Sequence, residues 1–156
     1  RVTGVQTCAL PIYQFDPVYS YPPSSQRPHP PILVGGTSKA ALSRVARLAD
    51  GWLSVGLSVD DLAERLAVLR QACQTQGRAY EDLTLYHKLF INIGAEVAGK
   101  DGGRVPGTGR VGQIVDDFRR IRDLGYRGFI VRYIGQDGVE QQQQIARFAD
   151  EIAPKI

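Results

Sequence analysis

Four times along the chain a short apolar run is followed by a stretch whose apolar residues recur at helical spacing, and this alternation constrains the fold more than any other feature. Ile32-Leu33-Val34 is the first run, closed by Gly35-Gly36. The stretch after it places Ala41, Leu42, Val45, Leu48 and Ala49 on one helical stripe, with Thr37 or Ser38 as cap and Arg44 and Arg47 toward solvent. Trp52 to Val55 is the second run. Ser58 and Asp61 then make a capping box, Leu62, Leu66, Leu69 and Cys73 give an apolar face, and Gly77 stops the helix. Leu83 to Ile93 is a third strand of mixed character. Gly94 to Gly109 holds six glycines and a proline and reads as a loop. Thr108 is the start signal for a third stripe, Val111, Ile114, Val115, Phe118 and Ile121, which ends at Gly125. Phe129-Ile130-Val131 is the fourth strand, and Ile145, Phe148, Ala149 and Ile152 mark the last helix.

Strands that alternate with helices of this length pair in parallel through right-handed crossovers. Short, continuously apolar runs also fit strands covered on both faces. Two architectures satisfy the order. One is a small open sheet, flavodoxin-like, with helices on both faces, which would suit a non-enzymatic ligand-binding or signalling domain. The other is four consecutive units of an eight-unit (β/α)8 barrel. Periodicity leaves both open.

The bulk numbers exclude several classes. A chain of 156 residues, 43% apolar and 22% charged, is globular and large enough for one core. Its net charge of +3 is spread over helical faces, whereas a nucleic-acid surface needs concentrated positive charge. No apolar stretch is long enough for a membrane span. Cys8 and Cys73 show no metal-ligand spacing, and His29 and His87 are too few for a metal site, so no metal is expected and a reducing cytoplasm fits. For partners the expectation is a small-molecule substrate, no nucleic acid and no membrane, with room left for a homodimeric parent.

The first residue is not Met, and RVTGVQTCALPI resembles translated sequencing-adapter read-through; it lacks the apolar core of a signal peptide. Residues 1–12 are therefore set aside, and the native protein is expected to begin mid-gene. Residues 13–31, with prolines at 17, 22, 23, 28, 30 and 31, form a rigid loop that delivers the chain to the first strand. Residues 32–156 make up the α/β domain.

Three features of the segment Gln26 to Trp52 carry a family resemblance: the Arg27-Pro28-x-Pro30-Pro31 lead, the Gly35-Gly36 strand end and the Ala49-Asp50-Gly51-Trp52 entry to the next strand. On these the chain resembles the luciferase-like monooxygenases, and within them the coenzyme F420-dependent oxidoreductases. The resemblance implies the C-terminal half of a (β/α)8 TIM barrel, four parallel βα units corresponding to strands five to eight. It implies coenzyme F420, or alternatively FMN, as cofactor, and hydride transfer or oxygen insertion as the reaction. One departure is Gly107-Thr108-Gly109, where the family has Gly-Thr-Pro.

The resemblance also assigns the loop after the first strand here to the cofactor's phosphate or tail, and the residue types agree. Glycines let the backbone approach an anion, and a helix start offers free amides and the positive end of a dipole. The cofactor-binding set is Gly35, Gly36, Thr37, Ser38 and Arg132, the last for its fixed fork of donors. Ser54, Gly56 and Asn92 are further candidates at strand ends. Asp50 and Trp52 read as structural, His29 as serving its loop, and His87 as either pocket or core, since its strand register is unknown. No catalytic acid or base is identified: the resemblance places the positioning groups largely in the first four strands, and the isolated chain is expected to be inactive.

Overall fold

The computed structural model describes residues 21–99, 102–135 and 137–156. The expectations for residues 1–12, the first part of the proline-rich loop and Cys8 therefore lie outside the described residues. The chain divides into two units, Arg1–Pro30 and Pro31–Ile156. In the described part of the first, bonds are local: Arg27 Nη1 donates to the Ser24 carbonyl at 2.8 Å, and His29 Nδ1 lies 2.9 Å from the Pro30 carbonyl.

The second unit runs β1 (Leu33–Gly35), α1 (Lys39–Leu48), β2 (Gly51–Val55), α2 (Val59–Thr75), β3 (Thr84–Ile93), β4 (Thr108–Gly109), α3 (Val111–Asp123), β5 (Gly128–Tyr133) and α4 (Gly138–Arg147). A π-turn at Phe148–Ile152 follows α4. All strand pairs are parallel, in the order β1-β2-β3-β5. The two-residue β4 joins β3 at Asn92 and Ile93. It occupies the edge that β2 has left: the even-numbered Thr84 and Lys88 bond to the β2 side, and Asn92 and Gly94 donate on that same side to Gly107 and Gly109.

Strand order separates the two architectures. Full-length strands adjacent in sequence are adjacent in the sheet, with no reversal, so right-handed crossovers stack every helix on one face. A doubly wound sheet needs a switch point where the order reverses. The flavodoxin-like alternative is thereby overturned, and the sheet is an arc of the barrel type with four βα units. Burial follows the same logic. Along β3 the side chains alternate, with Leu85, His87, Leu89, Ile91 and Ile93 buried and Thr84, Tyr86, Lys88, Phe90 and Asn92 half-buried. Among the described residues the helices lie on one side of this sheet.

Caps and stops largely follow the sequence. Ser38 Oγ accepts from Ala41 N–H, Ser58 Oγ accepts from Asp61 N–H, and Gly77 and Gly125 take positive φ just past α2 and α3. The α2 face is the expected Leu62, Leu66, Leu69 and Cys73. Other details shift. The first strand is Leu33–Gly35, leaving Ile32 47% exposed, and in α1 Ala46 is buried while Leu48 is 63% exposed. Thr108 does not start a helix; it sits in β4, and α3 begins at Val111. In α4 the expected Ile145 is exposed and Gln144 is buried instead.

That last exchange has a physical reason. The pairing of β5 with β3 ends where Ile134 N–H donates to the Ile91 carbonyl, which leaves the Ile93 peptide groups without a strand partner. Gln144 replaces the missing strand: its Oε1 accepts from Ile93 N–H at 2.8 Å and its Nε2 donates to the Ile93 carbonyl at 3.4 Å. Arg147 Nη1 donates to the same carbonyl at 3.0 Å.

Candidate functional site

The C-terminal ends of the strands, where parallel α/β folds hold ligands, carry two separate groups of polar residues. The first is the turn from β1 into α1. Gly36 has φ +100°, and a Cβ there would stand 2.9 Å from Ala41 Cβ, so the sharp turn and the close approach to α1 both require glycine. Gly35 differs: a Cβ there would meet nothing nearer than the Leu53 carbonyl at 3.6 Å, and the fold does not demand glycine at that position. Thr37 and Ser38 are exposed, and the amides of Thr37, Ser38, Lys39 and Ala40 have no backbone partner among the described residues. Ser38 Oγ is engaged as acceptor by Ala41 N–H at 3.2 Å, which leaves its proton free to donate. The turn is tied to the core by Trp52, whose Nε1–H donates to the Gly36 carbonyl at 2.9 Å.

The second group lies on the open face of β3 and β5, and sequence alone hid most of it. Register places Lys88 opposite Ile130 and Phe90 opposite Arg132. Residues aligned across parallel strands share a face, so Tyr86, Lys88, Phe90, Asn92 and Arg132 all project from the side without helices. Arg132 is exposed. Lys88 Nζ lies 5.8 Å from the Phe90 ring centroid. Gly56, with φ +60°, makes room for that ring: a Cβ there would come within 3.3 Å of Phe90 Cε2. Arg132 is three strands from Gly35, roughly 14 Å across the sheet at the usual strand spacing, so one phosphate cannot be shared between it and the β1–α1 turn. The structure brings Gly35, Gly36, Thr37 and Ser38 together and places Arg132 apart.

Ser54 and His87, by contrast, point into the covered face. Ser54 Oγ lies 2.6 Å from His87 Nδ1 and 3.0 Å from the Tyr126 hydroxyl, a spacing that suits a nucleophile and its base. Both residues are buried, at 1% and 0% exposure, between the sheet and its helices, where no substrate reaches. His87 is a core histidine, and burial lowers its pKa to about 4. Tyr126 stacks edge-on against it at 5.8 Å, and burial raises the Tyr126 pKa. Asp50 is structural: its Oδ2 accepts from Ile32 N–H at 2.7 Å at the opposite end of the sheet.

The glycine-rich loop before α3 is ordered around a carboxylate that sequence analysis passed over. Asp117, on α3 and 3% exposed, accepts from Arg104 Nη2 at 2.7 Å, Arg104 Nη1 at 2.8 Å and Gly107 N–H at 2.8 Å. Thr108 Oγ1 accepts from Val97 N–H and donates to the Val105 carbonyl, so its hydroxyl holds the loop and does not face ligand.

Comparison with known proteins agrees with this geometry. Residues 7–98 match the model of the luciferase-like monooxygenases. The FMNH2-dependent dimethylsulfone monooxygenase of Pseudomonas putida is 33% identical over 89 residues, 57% of this chain and 22% of that protein. Among solved structures, the coenzyme F420-dependent tetrahydromethanopterin reductase of Methanopyrus kandleri superposes with a TM-score of 0.63 at 13% identity, over 80% of this chain and 50% of that one. Monooxygenase RslO1 of Streptomyces bottropensis superposes with a TM-score of 0.58 at 20% identity, over 92% and 53%. The chain thus spans about half the length of these barrel enzymes and about a fifth of the dimethylsulfone monooxygenase. With the family model matched over more than half of its residues and its sheet wound as in those barrels, the chain belongs to the luciferase-like monooxygenase family.

Proposed function

We propose that this chain forms the C-terminal wall of a flavin- or deazaflavin-dependent oxidoreductase and that its β1–α1 turn receives the cofactor's phosphoryl group. The observation that carries the reading is Gly35. It is a glycine that neither backbone conformation nor packing requires, directly before a turn whose four amides have no backbone partner among the described residues. A small residue there keeps the strand mouth open, Gly36 lets the chain turn into α1, and the amides of Thr37 to Ala40 with the Ser38 and Thr37 hydroxyls can donate to an anion at the positive end of α1. Coenzyme F420 is the preferred cofactor and FMN the alternative. Both carry a phosphoryl group, and the family's relatives include enzymes named for each.

When bound, such a cofactor supplies hydride transfer or oxygen chemistry, and the protein supplies position and electrostatics. The residues of this chain bind and orient: the turn fixes one end of the cofactor, and Arg132 meets bound molecules from the far end of the arc. Ser54 and His87, the pair at nucleophile–base spacing, are sealed on the other side of the sheet. The chain alone is therefore a binding wall without turnover. Fluorescence titration of the purified chain with coenzyme F420 and with FMN, followed by an assay for oxidation of the reduced cofactor, tests this. Binding without turnover is expected; turnover by the isolated chain, or no binding of either cofactor, overturns the reading.

A further inference from the structure

Two cations share the open sheet face with no counter-ion among the described residues. The side chains projecting there are Leu33, Leu53, Val55, Thr84, Tyr86, Lys88, Phe90, Asn92, Ile130 and Arg132, and none is acidic. Lys88 and Arg132 have neither a hydrogen-bond nor an ion-pair partner among the described residues; Lys88 has only the Phe90 ring beside it.

Their placement is specific. Lys88 sits opposite Ile130, two residues before Arg132, so their backbones are roughly 8 Å apart on neighbouring strands, a distance two long side chains close easily. Phe90 is directly opposite Arg132, and its ring is held against Gly56. On the other flank, Tyr86 lies across Gly128, where a Cβ would collide with its ring. Two glycines thus seat two aromatic rings on either side of Lys88. An anion seated between the two cations would meet both charges, and aromatic walls favour a flat apolar body next to that anion.

We propose that Lys88 and Arg132, with Phe90 as a wall, form a second anion subsite that takes an oxyanion carried on a flat, apolar body, and that this is the substrate end of the site. The subsite is distinct from the β1–α1 turn. Naming its ligand the substrate rests on the oxidoreductase reading, while the subsite itself does not. An arginine fork and a lysine point charge together suit a phosphate, sulfonate or carboxylate group.

Phenyl phosphate is the probe. Calorimetric titration of the full chain and of the variants K88Q, R132Q, F90A and T37E separates the possibilities, with backbone amide shifts measured by NMR to locate the ligand. The expected result is that the parent chain shows shifts at the Lys88, Phe90 and Arg132 amides, that K88Q and R132Q each weaken the binding read at those amides at least fivefold, and that T37E, which abolishes phosphate binding at the β1–α1 turn, still shows the shifts at all three. Phenyl phosphate should also bind more tightly than inorganic phosphate, a preference lost in F90A. No binding by the parent chain, unchanged affinity in K88Q and R132Q, or loss confined to T37E would overturn the subsite. Because T37E reports on the turn and the other variants on β3 and β5, failure here is distinguishable from failure of the cofactor reading.

Discussion

Trp52 and Gly36 are joined across the edge of the sheet: the indole Nε1–H, on a side chain with no solvent exposure, donates to the Gly36 carbonyl at 2.9 Å. The bond couples the packed core to the turn on which the functional reading depends. It also explains why the tryptophan stands in the covered face and not against a cofactor ring. Replacing Trp52 with Phe keeps most of the apolar contact and removes the donor. The expected cost is about 1–2 kcal/mol in urea unfolding, with phosphate-dependent cofactor binding weakened as the turn loosens. Unchanged stability would mean that the bond contributes nothing.

Gly36 itself is a stricter case. A side chain at φ +100° is strained whatever the space around it, and here the Cβ would also press on Ala41. G36A should destabilise the chain by about 1–3 kcal/mol, measurable as a lower urea midpoint. G35A, at a position where only an ordinary contact awaits the new methyl, should leave stability nearly unchanged and reduce cofactor binding. Equal stability losses in the two variants would remove the distinction drawn between the glycines.

His87 makes stability depend on pH with a definite sign. Burial holds its folded-state pKa near 4, below the ordinary value of about 6.5 in the unfolded chain. The unfolded state therefore takes up a proton first as pH falls. The stabilisation is present above about pH 6.5 and is lost progressively as the pH falls toward 4. Its size is on the order of 3 kcal/mol. Urea midpoints measured from pH 7.5 to 4 should fall more steeply for the parent chain than for H87Q. Parallel curves would show that His87 is not the residue responsible.

The Asp117 carboxylate organises the glycine-rich loop through Arg104 and the Gly107 amide. D117A removes the counter-ion of a partly buried guanidinium, which keeps only its bonds to the Val105 and Thr108 carbonyls, and leaves the buried Gly107 amide unpaired, which should cost about 2–3 kcal/mol. Hydrogen exchange should accelerate at Gly107 and Thr108. If protection there is unchanged, the loop is held by something else.

Much of the fold was legible because it depends on patterns within single segments. The α2 stripe of Leu62, Leu66, Leu69 and Cys73, the Ser38 and Ser58 caps and the glycine stops each follow from local spacing, and all stand. Relations between segments were not legible. One strand cannot reveal which of its faces meets helices, so His87 stayed undecided and Lys88 and Phe90 went unnoticed until their register with β5 placed them beside Arg132. The slip at Gln144 and Ile145 arose because the chain spends a side-chain amide on the Ile93 peptide, a tertiary demand that hydrophobic periodicity does not record. Asp117 was overlooked because a carboxylate in an amphipathic helix ordinarily faces water.

The most direct measurement compares FMN with riboflavin, which lacks only the phosphoryl group, on the parent chain and on T37E. Thr37 is exposed, so a glutamate there tests charge without disturbing the core. If the β1–α1 turn holds the phosphoryl group, FMN binds at least tenfold more tightly than riboflavin, about 1.4 kcal/mol, and T37E brings FMN down to the riboflavin level while riboflavin is unaffected. Equal affinities in the parent chain, or an FMN advantage that survives T37E, would contradict the account.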